Sequence, residues 1–378
     1  MFVSVVTGTR PQIVKTAPVI AALSDAGIDF EFVHTGQHYD YELAGAFVDG
    51  LSLPKPTQLG VGEGKPYSQL AGVVESLGSH YEKRRPDYVI VPGDTTSALG
   101  AALAGFKIDI PVCHLESGLR IYDFGLQEEM NRRMIDHGAS ALFAPTTSAV
   151  KNLTREGVLG RVFQIGDTMY DILKTRLPEL SKSEFRKSVK SEVGVPEDTE
   201  YAVLTLHRRE NVDDRQVLSE IVEALNETDF QMVFPMHPRT GARLRKFNLK
   251  LDSDRIAIVP PLPYDKFVSL VSDSKLVISD SGGIQKECYL LNVPLVTLRK
   301  RTEWIETVQR GANVLSTLKR DDIMDKCQAM YGKELSNDPS VYGDGNAAKR
   351  IPDILESESI TVPSDPDAKH YTEMLDSL

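Results

Sequence analysis

Short apolar, β-rich runs alternate with helix-patterned segments through the whole length of the chain, and this alternation narrows the possible folds more than any other feature. In the first half the runs are Phe2–Val6, Phe30–Val33, Tyr88–Val91, Val112–Leu115 and Leu142–Ala144. In the second half they are Tyr201–Leu206, Met232–Phe234, Ile256–Val259, Leu276–Ile278 and Leu295–Thr297. Strands that alternate with helices build parallel βαβ units, so the expected class is α/β. At 378 residues the chain exceeds the usual size of one domain, and two doubly wound domains are expected. The charged helical stretch Ser181–Glu192 and the turn-forming Gly194-Val195-Pro196 interrupt the alternation, which places the boundary near residues 168–185. The expected domains are 1–175 and 176–345. Residues 346–378 follow as a helix, Asn346–Leu355, and an acidic tail with an extended stretch at Thr361-Val362-Pro363-Ser364-Asp365-Pro366.

Composition excludes several classes. With 41% hydrophobic and 26% charged residues the chain can bury a large core. A net charge of −11 argues against a nucleic-acid or anionic-membrane surface. Cys113, Cys288 and Cys327 are far apart and form no C-x-x-C pair, so neither a disulfide framework nor a zinc site is expected, and a reducing cytoplasm fits. The sequence opens on a strand with no basic n-region, long apolar run or cleavage site, which reads as an unprocessed, soluble protein. His34 and His38 have i,i+4 spacing but no third ligand, and Gly36 lies between them, so no metal is expected. Gly60-Val61-Gly62-Glu63-Gly64 is flanked by prolines with no strand ahead of it and reads as a flexible loop. No solenoid repeat or coiled-coil heptad occurs.

The polar residues that follow the strands carry the functional signal, because ligands of open α/β sheets sit beyond the carboxyl ends of the strands. Ser281-Gly282-Gly283 follows Leu276–Ile278 and opens a helix-like stretch through Leu291. Unpaired N–H groups and the positive end of a helix dipole meet there, and a nucleotide diphosphate would fit. Glu287 lies one turn beyond Gly283, where its carboxylate could accept from a ribose; a packing turn with an exposed Glu is the competing reading. Arg10 and Lys15, in and after Gly8-Thr9-Arg10-Pro11, could hold phosphate or be surface cations. Asp94 could act chemically or cap the next helix. Glu116, at the end of Val112–Leu115, is poorly explained by packing. Glu128-Glu129, ahead of Asn131-Arg132-Arg133 where a helix is expected to begin, fit either chemistry or a favourable contact with the helix dipole. His207-Arg208-Arg209-Glu210-Asn211 puts an imidazole and guanidinium groups at the crevice of the second domain, and His237-Pro238-Arg239 repeats the theme.

Taken in order, Gly8-Thr9-Arg10-Pro11, Gly36-Gln37-His38, Gly93-Asp94-Thr95, His114-Leu115-Glu116-Ser117-Gly118-Leu119-Arg120, Glu128-Glu129-Met130-Asn131-Arg132, His207-Arg208-Arg209-Glu210-Asn211 and Asp280-Ser281-Gly282-Gly283-Ile284-Gln285-Lys286-Glu287 resemble the non-hydrolysing UDP-N-acetylglucosamine 2-epimerase family, from residue 2 to about 355. The resemblance implies two Rossmann-like domains in a GT-B-like arrangement with an interdomain active site, and a final helix crossing back onto the first domain. It implies reversible interconversion of UDP-GlcNAc and UDP-ManNAc in a cytoplasmic homodimer, with no cofactor and no metal. By motif, Asp94, Glu116 and Glu128 look like the catalytic carboxylates and His207 like the essential histidine. Arg10, Ser281, Gly282, Gly283 and Glu287 look like ligands of UDP, with Lys15 nearby, and Phe267 resembles the uracil-contacting position.

Three positions depart from the family pattern. Gln12 stands where many members have Glu, Gln127 replaces a Pro, and Trp304 replaces an Arg common among bacterial members. Gln12 and Trp304 are also similar to the branch that acts on UDP-2,3-diacetamido uronates, for which Arg120, Arg132 and Arg209 would be available to clamp a carboxylate. That epimerase, and a hydrolysing 2-epimerase releasing ManNAc and UDP, are the alternative functions. Activation by a second UDP-GlcNAc at the Gln-His segment is not carried over, because Tyr39 follows His38 where activated members often differ.

Overall fold

The computed structural model describes residues 1–36, 53–62 and 64–363, and it separates into two compact units. The first comprises Met1–Ile172 and the chain from Ser340 onward; the second is Leu173–Pro339. Gln37, His38 and Tyr39 lie outside the described residues, as do Glu63 and the stretch from Ser364.

In the first unit β1 (Phe2–Thr7), β2 (Asp29–His34), β3 (Thr57–Gln58), β4 (Tyr88–Pro92), β5 (Val112–Leu115), β6 (Ala141–Ala144) and β7 (Arg161–Gln164) form a parallel sheet in the order β3-β2-β1-β4-β5-β6-β7. In the second, β8 (Tyr201–Thr205), β9 (Gln231–Pro235), β10 (Ile256–Val259), β11 (Leu276–Ser279), β12 (Leu295–Thr297) and β13 (Asn313–Leu315) run parallel in the order β10-β9-β8-β11-β12-β13. The central strands read as near-continuous apolar runs because helices cover both faces, and Val3, Val5, Val89, Ile90, Val203 and Val277 have no exposed surface. Strand order reverses between β1 and β4 in one sheet and between β8 and β11 in the other. At such a switch point the two connections leave on opposite sides of the sheet and open a crevice beyond the strand ends.

The edge strands β3, β7 and β13 carry the weakest apolar signal. Each is short and has exposed or half-exposed residues. The presence of β3 corrects the expectation that no strand precedes the glycines at 60–64, although no helix opens there; the next one starts at Pro66, as proline suits a first turn.

The first core is completed from far along the sequence. Ala347, Ala348, Ile351, Leu355 and Ile360 share one buried cluster with Val3, Val5, Ile13, Val19 and Ile20. The helix in this stretch runs Arg350–Ser357, starting later than Asn346 because the preceding residues are used in an anchoring turn. There the Asp171 carboxylate accepts from the backbone N–H groups of Ala347 and Ala348, at 3.0 and 2.7 Å, although burial raises its pKa. Gly166 has φ +95° and lies against Tyr342, where a Cβ would come 2.9 Å from the carbonyl oxygen; only glycine suits that contact.

Candidate functional site

In the first unit the sequence-predicted residues converge beyond β1, β4 and β5. Gly8 is required by crowding, because a Cβ there would lie 1.9 Å from Ser97 Oγ and 2.5 Å from Thr35 Oγ1. Arg10 and Pro11 then open the helix Arg10–Asp25, and partial burial lowers the pKa of the Arg10 guanidinium. Gln12 ties two loops together: its Oε1 accepts from the N–H of Gly8 at 2.8 Å and of Thr9 at 3.1 Å, while Nε2 donates to Pro92 O at 2.7 Å. One turn on, Lys15 pairs with Glu116. A Cβ on Gly93 would lie 3.4 Å from Glu116 Oε2 and 3.6 Å from Lys15 Nζ, so this ion pair adjoins Gly93-Asp94. Lys15 is therefore a partner of a carboxylate as well as a phosphate candidate.

Glu116 has φ +67°, a left-handed conformation that costs a non-glycine residue about 1–3 kcal/mol and persists only where the surroundings impose it. Here they do: its side chain is 9% exposed and ion-paired, and Ser117 N–H donates to Phe143 O at 3.2 Å.

Asp94 does not cap the following helix. Thr95 does, its hydroxyl accepting from Ala98 N–H at 3.1 Å. The Asp94 carboxylate instead pairs with Arg132, and Asn131 Nδ2 donates to the Asp94 carbonyl at 2.8 Å. Both partners belong to the helix Gln127–Gly138, which begins ahead of Glu128 and Glu129 and not at Asn131. Glu128 is exposed, one turn ahead of Asn131 and Arg132 on the same helix. Its neighbour does different work. Glu129 is fully buried and accepts from Ile121 N–H at 2.9 Å while pairing with Arg132 and Arg133.

In the second unit the switch point between β8 and β11 brings together residues 73 apart in sequence. Asp280, fully buried, accepts from His207 N–H at 3.0 Å, from Arg208 N–H at 2.8 Å and from Asn211 Nδ2 at 3.2 Å. Burial pushes the Asp280 pKa up, but His207 and these backbone donors outweigh it and hold the carboxyl below its ordinary range. His207 Nδ1 lies 3.1 Å from the same carboxylate, and its side chain is 43% exposed, so the ring is oriented by Asp280 and presents Nε2 outward.

After β11, Gly282 and Gly283 start the helix Gly283–Leu291. The two glycines differ in purpose. At Gly283 a Cβ would meet nothing within 4 Å, which leaves open space over the helix start, whereas at Gly282 it would lie 2.5 Å from Glu303 Oε1. Ser281 N–H is bonded to Ser279 Oγ at 3.0 Å. Glu287 is buried to 7% exposure one turn into the helix. Phe267 is half-buried on the separate helix Tyr264–Ser272, against the apolar residues that line one face of the second sheet.

Sequence reasoning missed the supporting residues: Asp280 as the anchor of His207, Arg132 as the partner of Asp94, and the buried Arg299–Glu303 pair at 3.0 Å beneath Gly282. A carboxylate directly after the buried strand Leu276–Ser279 was the available signal for Asp280. The two positions read as pointing to a uronate have internal roles. Gln12 clamps two loops, and Trp304, 2% exposed, stacks under Lys286 Nζ at 4.1 Å from the ring centroid.

The chain is similar to known proteins along nearly its full length. A sequence model of the UDP-N-acetylglucosamine 2-epimerase family matches residues 21–356. The UDP-N-acetylglucosamine 2-epimerase of Methanocaldococcus jannaschii is 39% identical, over 94% of this chain and 99% of that protein. A UDP-2,3-diacetamido-2,3-dideoxy-D-glucuronate 2-epimerase of Pseudomonas aeruginosa is 36% identical over 94% of this chain and 99% of its own length. The crystal structure of the M. jannaschii enzyme in complex with UDP-GlcNAc and UDP superimposes with a TM-score of 0.87 at 37% identity, covering 94% of this chain and 100% of that one. With its matched length, its two parallel-sheet domains and the polar residues gathered at their switch points, this chain belongs to the UDP-N-acetylglucosamine 2-epimerase family.

Proposed function

We propose that the protein interconverts UDP-N-acetylglucosamine and UDP-N-acetylmannosamine by eliminating and re-adding UDP. The observation that carries the reading is the grouping of Lys15–Glu116 and Arg132–Asp94 around Gly93, with Glu128 on the adjoining helix face. The hydrogen on sugar C2 is not acidified by a carbonyl, so direct removal is prohibitively slow. C2 adjoins the anomeric carbon that carries UDP, however, and elimination is open. One carboxylate takes the C2 proton as the C1–O bond breaks, the electron pair forms the C1–C2 double bond of 2-acetamidoglucal, and UDP leaves with the C1–O electrons. Protonation of the opposite face and return of UDP to C1 complete the inversion. Asp94, Glu116 and Glu128 exchange protons and stabilise the positive charge developing at C1. Arg10, His207 and the helix start at Ser281–Gly283 stabilise the departing diphosphate. Phe267 supports the uracil and Glu287 the ribose.

Turnover in heavy water with UDP-GlcNAc and the diacetamido uronate side by side tests this. Deuterium should appear at C2 of both epimers without added nicotinamide or metal, and kcat/KM should favour UDP-GlcNAc. Retention of the original C2 hydrogen would sink the elimination. The uronate reading draws on the P. aeruginosa relative. Against it, Arg120 is bound to Asp136 and Glu156, and Arg132 to Asp94 and Glu129, so neither is spare for a substrate carboxylate.

Glu287→Ala should weaken UDP binding about 10- to 150-fold, since hydrogen bonds to charged groups contribute roughly 1.5–3 kcal/mol. Unchanged affinity by calorimetry, with the fold intact, would remove Glu287 from the ribose. Among the described residues no helix is long and apolar enough to cross a membrane. The proposal includes a cytoplasmic homodimer, for which three buried, unpaired cysteines suit a reducing compartment.

A further inference from the structure

His114, on β5, has no exposed side-chain surface and contacts no candidate substrate group, yet both of its ring nitrogens are engaged. Nε2 lies 2.8 Å from the Gly93 carbonyl, which can only accept a hydrogen bond, so this nitrogen carries a proton. Nδ1 lies 2.6 Å from Asp136 Oδ1, and the other oxygen of Asp136 faces Arg120 at 2.7 Å and the Gly118 N–H at 3.1 Å. One proton must lie between Nδ1 and Oδ1, and the buried Arg120 guanidinium beside the other oxygen favours the ionised carboxylate, which places that proton on the ring. Burial opposes ionisation of Asp136, but His114 and Arg120 outweigh it and hold its pKa below the ordinary value.

The surrounding charges are consistent with that placement. From His114 a chain of contacts runs through Asp136, Arg120, Glu156, Arg133, Glu129 and Arg132 to Asp94, alternating in sign at every step. His137 touches Glu156 from the exposed side at 3.8 Å, and the separate Lys15–Glu116 pair adjoins Gly93. With a protonated His114 the alternating chain holds four cations and four carboxylates and is neutral. With a neutral imidazole the chain would carry a net negative charge, and Asp136, which has no exposed surface, would be left with Arg120 as its one cationic neighbour in the chain.

We propose that His114 is a buried imidazolium and the positioning residue for Asp94, which it grips from two directions: through the Gly93 carbonyl and through the chain of ion pairs that ends on the Asp94 carboxylate. The role in turnover rests on the epimerase reading; the charge state does not. Neutron diffraction from crystals of the unmodified protein, exchanged into heavy water near neutral pH, should show deuterium on both ring nitrogens. Density on one nitrogen alone would overturn the proposal. A folded His114→Gln variant, which cannot donate to both acceptors across the ring, should lose on the order of 10²-fold in kcat, the scale of a catalytic group displaced by about 1 Å. Its affinity for UDP should change far less than kcat, since His114 contacts Gly93 and Asp136 and none of the residues proposed to hold UDP. Wild-type kcat in that variant would remove the positioning role even if both nitrogens proved protonated. A wild-type protein that epimerises neither sugar would instead refute the activity and leave the imidazolium standing.

Discussion

Glu116→Gln should slow turnover by roughly 10²- to 10⁴-fold, the usual contribution of a positioned acid or base, and leave UDP affinity nearly unchanged. The substitution keeps the shape of the side chain and removes its charge and its capacity to take up a proton. The backbone around residue 116 is fixed by Phe143 and by the β5 ladder, so the left-handed turn should survive. Asp94→Asn and Glu128→Gln are expected to fall in the same range. Single-turnover kinetics with UDP-GlcNAc, read beside calorimetric UDP affinity, separates chemistry from binding. A folded Glu116→Gln protein with near-normal turnover would take Glu116 out of the reaction and leave its strained backbone without a functional account.

Two adjacent glutamates should separate stability from catalysis. Glu129→Ala is expected to cost about 3–5 kcal/mol of folding stability, because it leaves the buried Arg132 and the partly buried Arg133 short of a partner and the Ile121 N–H without an acceptor. Glu128→Ala should change stability by no more than about 0.5 kcal/mol, as exposed substitutions do, and abolish most turnover. Urea unfolding followed by circular dichroism measures both. A loss below about 1 kcal/mol in Glu129→Ala would mean that the ion-pair network relaxes around the gap.

The fold was legible because buried parallel strands must be apolar at almost every position, and β1, β4, β5, β8 and β11 are. β7 and β13 were not legible. An edge strand such as Arg161–Gln164 buries little and leaves no apolar run to see. The candidate site was half legible for a similar reason. The residues proposed to face a ligand stand at strand ends in recognisable groups, as Asp94, Glu116, His207 and Ser281–Gly283 do. Residues that hold those groups in place, such as Asp280, Arg132 and Glu129, depend on partners distant in sequence, and a polar residue gives no local sign of which distant partner it will meet. Gln12 shows the converse: a position noted for its similarity to the uronate branch also clamps two loops, a role with no local sign in the sequence.

The first unit is assembled from both sides of the second, and that affects how the protein is made. A ribosome delivers Met1–Ile172 first, but the apolar surface around Val3, Ile13 and Ile20 waits for Ala347, Ile351 and Leu355, which emerge after the whole of Leu173–Pro339. The second unit, continuous in sequence, can mature while the first is still incomplete, reversing the usual N-terminal-first order of synthesis-coupled folding. A released chain truncated before residue 340 should therefore display a finished second unit and a first unit with an exposed greasy seam, the state in which a chaperone has most to grip.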